Sequence, residues 1–396
     1  MDKTKIDQLI AQYSDELFQK VIPFWMNHSK DEVYGGYFTC LSRKGEVYDT
    51  DKFIWLQARE VWQFAKLYNN IEPKQEWLDM ALHGAGFLQQ NGADAHGKWY
   101  FSLNRKGEPL VQPYNIFSDC FATMAFGQLY KATGEERYAQ LAKDTFYAIL
   151  DRQDNPKGIY NKGVPGTRPL KNFALPMILS NLALEIESLL PESLIQETID
   201  KVIHEVMEVF YFEKEGLVLE NVSSEGHFVD CFEGRLLNPG HAIEAMWFMM
   251  DLGEKLNRPE LIEKAVKITL DTLGYGWDKE HGGIFYFMDL KGYPPQQLEW
   301  DQKLWWVHLE TLVALLKGYY HTGNKACWKW FECVHEYAFS HFSDPEFGEW
   351  FGYLNREGKV LLPLKGGKWK GCFHVPRGLM YILQTLEGIK EKSNWL

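Results

Sequence analysis

A glycine-centred segment returns six times along this chain, and a repeat of that length restricts the fold more than any other feature. The segments are YGGYFTCLSRKGEVYD from 34, HGKWYFSLNRKGEPL from 96, KGIYNKGVPGTRPLK from 157, EGLVLENVSSEGHFVD from 215, HGGIFYFMDLKGYP from 281 and FGEWFGYLNREGKV from 347. Aligned on Gly36, Gly97, Gly158, Gly216, Gly283 and Gly348, they lie 61, 61, 58, 67 and 65 residues apart. Self-similarity at a fixed period is the mark of a repeat architecture. Four of the six place aromatic or β-branched residues before Arg/Lys-Gly or Glu-Gly, which predicts a short hairpin with a glycine-dependent turn.

Each segment is followed by an apolar run with helical spacing, such as DKFIWLQAREVWQFAKLY from 51, NPGHAIEAMWFMMDLGEKLN from 238 and DQKLWWVHLETLVALLKGYYHTG from 301. A second, more charged run follows, for example EERYAQLAKDTFYAILDRQ from 135 or RPELIEKAVKITLDTLGYG from 258. Its one-sided apolar pattern predicts an outer helix. Thr133-Gly134, Leu256-Asn257 and Thr322-Gly323 match helix C-cap signals. Six helix pairs with hairpins predict an all-α fold, a single (α/α)6 barrel over residues 1–396 with short β-hairpins at one mouth. The last unit, stopping soon after its helix at Leu396, is expected to close against the N-terminal helix.

In such a ring the inner helices run the same way, so polar residues early in them should meet. Arg59, Asp119, His241, Glu244, Glu310 and His374 are the candidates. His241 and His374 each follow Gly, Pro or Cys punctuation at the opening of an apolar run, and two imidazoles beside acids can act as a general acid and a general base near neutral pH. Carboxylate pairs are the competing reading, because inverting glycosidases on a comparable toroid hold an acid and a base about 6.5–9.5 Å apart. Asp119, Glu244 and Glu310 could supply one, and spacing alone leaves both readings open.

Other chemistries fail at specific residues. HEVME from 204 and HEYAF from 335 lack the second histidine of a zincin, no GxSxG elbow exists, and Val164 stands where a phosphate loop needs lysine. A net charge of −12 with no basic stripe argues against a nucleic-acid partner. No stretch approaches the length of a membrane span, and the N-terminus lacks an apolar leader. Six scattered cysteines form neither a zinc pattern nor a disulfide framework, which predicts a cytoplasmic protein with Cys372 as core packing. The 15 Trp, 20 Tyr and 25 Phe serve either to fill a large core or to stack on sugar rings.

Through DKFIWLQAREVW from 51, PGTRPLKNFALPMILSNLAL from 165, LLNPGHAIEAMW from 236, WWVHLETL from 305 and KGCFHVPRGL from 370, the chain resembles the N-acylglucosamine 2-epimerase family, also described as renin-binding proteins. The resemblance implies reversible interconversion of N-acetyl-D-glucosamine and N-acetyl-D-mannosamine, a sialic acid precursor, without a catalytic metal. It makes His241 and His374 the acid/base pair, Arg59 the contact to a substrate oxygen and Glu310 their polar partner. Asp119, Glu244, Trp55, Trp305 and Arg377 become the expected substrate contacts. Cellobiose and mannose 2-epimerases and aldose-ketose isomerases share the two histidines but carry a third on the inner helix of the third unit. Residues 171–181 contain none, which favours the N-acyl sugar. The resemblance also implies a homodimer and ATP or another nucleotide as an effector, with Lys162, Gly166, Arg168 and Lys171 as candidate contacts. A non-catalytic renin-binding role is the alternative of another class.

Overall fold

The computed structural model describes residues 3–164 and 166–393; Pro165 of the PGTRP segment and the final residues, with Leu396, lie outside them. The helices are α1 (Lys3–Asp15), α2 (Ile22–His28), α3 (Ile54–Asn70), α4 (Gln75–Asn91), α5 (Ile116–Thr133), α6 (Glu136–Arg152), α7 (Ala174–Ile186), α8 (Glu192–His204), α9 (Pro239–Lys255), α10 (Pro259–Gly276), α11 (Trp305–Thr322), α12 (Lys325–His341) and α13 (His374–Ser393). A π turn at Glu16–Val21 joins α1 to α2.

Burial separates two layers. In α11 every residue from Trp305 to Leu316 is buried, and α5 and α9 are nearly as enclosed. In α6 only Tyr138, Ala139, Ala142, Thr145, Phe146 and Ile149 are buried, one stripe at intervals of three and four. A helix that is apolar all round belongs inside, and a striped one belongs outside. The inner ring is α3, α5, α7, α9, α11 and α13, each packed on the next. The last inner helix, α13, packs on α1, so the sixth pair is assembled from the two ends of the chain.

All six alignment glycines adopt left-handed backbone, with φ between 53° and 76°, which explains their recurrence at fixed places. Gly134, Asn257 and Gly323 are likewise left-handed at helix ends, where the sequence placed them. Strand pairing departs from expectation. The short strand entering an inner helix pairs with the hairpin of the following unit: Lys52 with Leu103, Leu170 with Ser223, Leu236 with Asp289 and Lys303 with Leu354. A bridge between Ser42 and Leu364 closes the circle. The third segment is no hairpin at all: it holds a 3-10 turn at Gly158–Tyr160, and its strand Leu170–Asn172 pairs with Asn221–Ser223 of the fourth unit.

Beneath this belt an ionic triad recurs, its aspartate and lysine buried and its arginine partly exposed. Lys52 Nζ lies 2.9 Å from Asp31 Oδ2, which Arg105 of the next hairpin holds at 3.0 Å. Lys303 and Arg356 hold Asp278 at 3.0 and 3.1 Å. Lys365 and Arg43 hold Asp344 at 2.8 and 2.7 Å, joining the last unit to the first. Burial alone would raise these carboxyls, but the hydrogen bonds from Arg and Lys keep all three well below the usual aspartate range.

Removing one member of a buried pair costs about 3–5 kcal/mol, because the partner charge stays buried. Asp344→Ala should therefore lower unfolding stability by about that amount, measured by urea titration at neutral pH. Since the folded aspartates bind protons more weakly than the unfolded chain, their contribution is complete at neutral pH. It should decline as pH falls below about 4, the ordinary aspartate value, and the wild type should lose more stability there than the variant.

Candidate active site

The N-termini of α9 and α13 deliver the two histidines. Asn238 caps α9 by accepting the amide of His241 at 3.1 Å, and Pro239 opens the first turn, a position that needs no amide hydrogen. His374 is the first residue of α13. Both imidazoles lean on one indole, Trp306, with ring centroids 5.4 Å from His241 and 5.8 Å from His374. Trp306 can lie there because residue 240 is glycine: a Cβ at that position would stand 2.6 Å from its ring.

A second rule of placement comes from helix register. The sixth residues of α3, α9 and α11 are Arg59, Glu244 and Glu310, and that of α5 is Phe121. These side chains meet. Arg377 Nη2 donates to Glu244 Oε1 at 2.5 Å and to Glu310 Oε1 at 2.6 Å. Glu310 Oε1 also lies 2.7 Å from His374 Nδ1, and Glu310 Oε2 accepts the indole hydrogen of Trp247 at 2.9 Å. Among the described residues Arg59 has no carboxylate partner. It is buried against the rings of Phe121, Trp55 and Phe373 at 4.0, 4.4 and 4.5 Å, and its Nε has no hydrogen bond. Burial, with repulsion from Arg377, lowers its proton affinity to about 9 against the pull of Glu244 and Glu310.

The two histidines are tuned in opposite directions. Burial by itself would depress His241, but the adjacent Glu220 carboxylate, 3.0 Å from Nδ1, together with Glu244, raises its pKa. His374 is pushed well below the ordinary range by burial and by the guanidiniums of Arg59 and Arg377, despite the acids nearby. With a carboxylate on Nδ1, each ring keeps its proton there. In His374 this leaves Nε2 as the bare nitrogen, whereas charged His241 carries a hydrogen on both. A base and an acid thus share one wall.

Not every expected residue joins this group. Asp119 is turned away: it pairs with Arg152 at 3.1 Å, and its other charged neighbours are Asp94 and Lys98. It lies two positions before Phe121, about 200° around the helix from the wall-facing register. Burial raises its carboxyl to about 7. Trp55 packs under Arg59, and Trp305 stands with its centroid 6.3 Å from His374; both indole nitrogens are buried without partners. Lys162, Gly166, Arg168 and Lys171 lie on the surface, where Arg168 pairs with Glu233 and Lys171 with Glu205. Cys372 is a buried free thiol, its pKa raised by burial. Glu220 and Trp306 were not anticipated. Glu220 had one signal, a lone acid in the apolar run LVLENV.

This arrangement bears on the competing chemistries. Glu244, Glu310 and His374 bring donor atoms within 4.8 Å of one another, the grouping of a metal site, but the Arg377 guanidinium already bonds both carboxylates. The same pairing leaves neither acid free to protonate a glycosidic oxygen. An acidic and a basic imidazole with an unpaired guanidinium can instead move a proton on and off a carbon beside a carbonyl.

The family model described as N-acylglucosamine 2-epimerase matches residues 36–375. The chain is 41% identical over 387 residues to the N-acylglucosamine 2-epimerase of Mus musculus, covering 96% of this chain and 92% of that one. It is 42% identical over 369 residues to that of Homo sapiens, covering 91% and 86%. Among solved structures, the cellobiose 2-epimerase of Bacillus thermoamylovorans superposes with a TM-score of 0.83 at 18% identity, covering 96% of this chain and 99% of that one, a likeness of fold.

Replacing the Glu220 carboxylate with an amide removes the charge that favours the His241 imidazolium. In Glu220→Gln the pKa of His241 should fall, read by NMR titration of the histidine ring protons, while that of His374 stays below the ordinary range.

Proposed function

The chain belongs to the N-acylglucosamine 2-epimerase family, and on that premise we propose that it interconverts N-acetyl-D-glucosamine and N-acetyl-D-mannosamine by moving the proton at C2. Identity above 40% across nearly the whole length of epimerases with that substrate supports the sugar, and the oppositely tuned histidines support the chemistry.

The open-chain aldehyde places its carbonyl oxygen toward Arg59, whose buried Nε has no hydrogen-bond partner among the described residues. Neutral His374 takes the C2 proton through Nε2, the C–H electron pair moves into an enolate, and His241 delivers a proton to the opposite face. The reverse reaction exchanges the roles. Glu310 and Glu220 hold the two rings by Nδ1 and fix which nitrogen reacts. Arg377 neutralises Glu244 and Glu310 and thereby keeps His374 from gaining a proton too readily.

The finer parts of the reading rest on family likeness. They are a cytoplasmic homodimer in amino-sugar metabolism that supplies a sialic acid precursor, with a nucleotide effector and no cofactor in the chemistry. The exposed Lys162 and the loop around Gly166 remain the effector contacts to test. Activity with and without ATP, and the mass in solution, test these points directly.

Incubation with N-acetyl-D-mannosamine should yield N-acetyl-D-glucosamine, detected by proton NMR. A ketose product, or turnover of cellobiose alone, would overturn the substrate assignment. His374→Asn and His241→Asn should each lower kcat by about 10²–10⁴. Arg59→Ala should cost about 2.7–4 kcal/mol of barrier, measured as kcat/KM at fixed pH. Both directions use the same singly protonated histidine pair. kcat/KM should therefore hold a plateau around pH 6.5, falling on the acid side as His374 gains a proton and on the alkaline side as His241 loses one.

A further inference from the structure

The two histidines differ in their access to water as much as in charge. The His241 side chain is 27% exposed and that of His374 is 9% exposed. The Nδ1 partner of His374 is Glu310, fully buried, whose oxygens are committed to Arg377 and to the indole of Trp247. The charged neighbours of this ring are Arg59, Arg377, Glu244, Glu310 and His241, all of them residues of the site. The Nδ1 partner of His241 is Glu220, in the hairpin layer, and the charges of Glu220 and Glu299 both reach the hydroxyl of Tyr286. Among the described residues no hydrogen bond joins the two imidazoles, and the indole they share, a donor with no acceptor atom, cannot relay a proton between them.

We propose that the two half-reactions treat their protons differently: the proton His374 removes from C2 is held and returned to the same enolate, whereas the one His241 removes exchanges with solvent before return. This rests on the epimerase reading above. In each half-reaction the C2–H bond breaks, its electron pair enters the enolate, and the proton goes to Nε2 of one imidazole. Completion transfers the Nε2 proton of the other imidazole to the opposite face of C2. A proton on His374 sits on the less exposed ring beside two guanidiniums that repel it, so return to the enolate is its readiest exit. A proton on His241 sits on the more exposed ring, open to exchange with solvent.

The test uses the full-length protein in deuterium oxide, with each epimer in turn, stopped early in conversion and read by proton NMR at C2. From the epimer that presents its hydrogen to His374, residual substrate stays protiated while product carries deuterium. From the other epimer, residual substrate gains deuterium before much product forms. The ratio of exchange to conversion should differ between the two directions by about tenfold or more, a barrier difference of about 1.4 kcal/mol. Single variants identify the sides: His374→Asn still washes deuterium into one epimer without converting it, and His241→Asn does so at least about tenfold more slowly with the other. Equal ratios from both epimers, or equal washout by both variants, would overturn the proposal while leaving the epimerase reading intact. If the wild type converts and exchanges neither sugar, the epimerase reading fails and the proposal with it.

Discussion

A ring of six helix pairs has one junction that the chain does not make for itself, between the last unit and the first, and everything at the mouth depends on that junction holding. The protein uses there the same triad, a buried aspartate and lysine with an arginine, that it uses elsewhere. Asp31, Lys52 and Arg105 join the first unit to the second, Asp278, Lys303 and Arg356 the fifth to the sixth, and Asp344, Lys365 and Arg43 the sixth to the first. Each aspartate also accepts backbone amides of its own turn, so one carboxylate fixes a loop and two neighbouring units together. Such pairs give less net stability than geometric specificity, since desolvation offsets much of their attraction. A belt of two- and three-residue strands needs that specificity, because strands so short carry little register information of their own.

The wall of the bowl inherits its electrical character from this geometry. Fixing the angular position of each inner helix brings the sixth residues of three of them together, two acids and one arginine, and α13 adds Arg377 and His374. Arg377 satisfies both acids. Arg59 is left to three aromatic rings; His374 has guanidiniums beside it as well as the Glu310 carboxylate, while His241, against the same indole, has the Glu220 carboxylate. Identical side chains thereby acquire opposite proton affinities from their neighbours alone.

Much of this was legible in the sequence because it depends on features with a period. Glycines forced into left-handed backbone recur at fixed intervals, and inner and outer helices differ in how far round their apolar residues extend. The histidines, Arg59, Glu244 and Glu310 followed once the mouth was placed. What escaped depended on rotation or on partners distant in sequence. Asp119 sits in the right turn of α5 on the wrong side, an error of two residues that only the register of Phe121 reveals. Glu220 lies in a hairpin rather than on a helix, and its pairing with His241 follows from strand placement between units. The third segment kept its glycines but lost its hairpin, having too few strand-forming residues between Gly158 and Pro169.

The assembly of the sixth pair from α1 and α13 has a consequence for how the protein comes into being. Lys20 of the π turn lies under Gly348, Glu16 accepts the indole hydrogen of Trp350, and Asp7 pairs with Lys390. These contacts span nearly the whole chain, and contacts of such separation slow folding more than they alter final stability. During synthesis the first helix emerges with its apolar stripe uncovered, and the helices that cover it, α12 against Tyr13 and then α13, are the last to be made. His374 opens that last helix, so the site is completed in the same event that shelters the first helix. A nascent chain thus has no partly working stage, and shielding of Ile6, Leu9 and Tyr13 in the interval falls to whatever meets the growing chain.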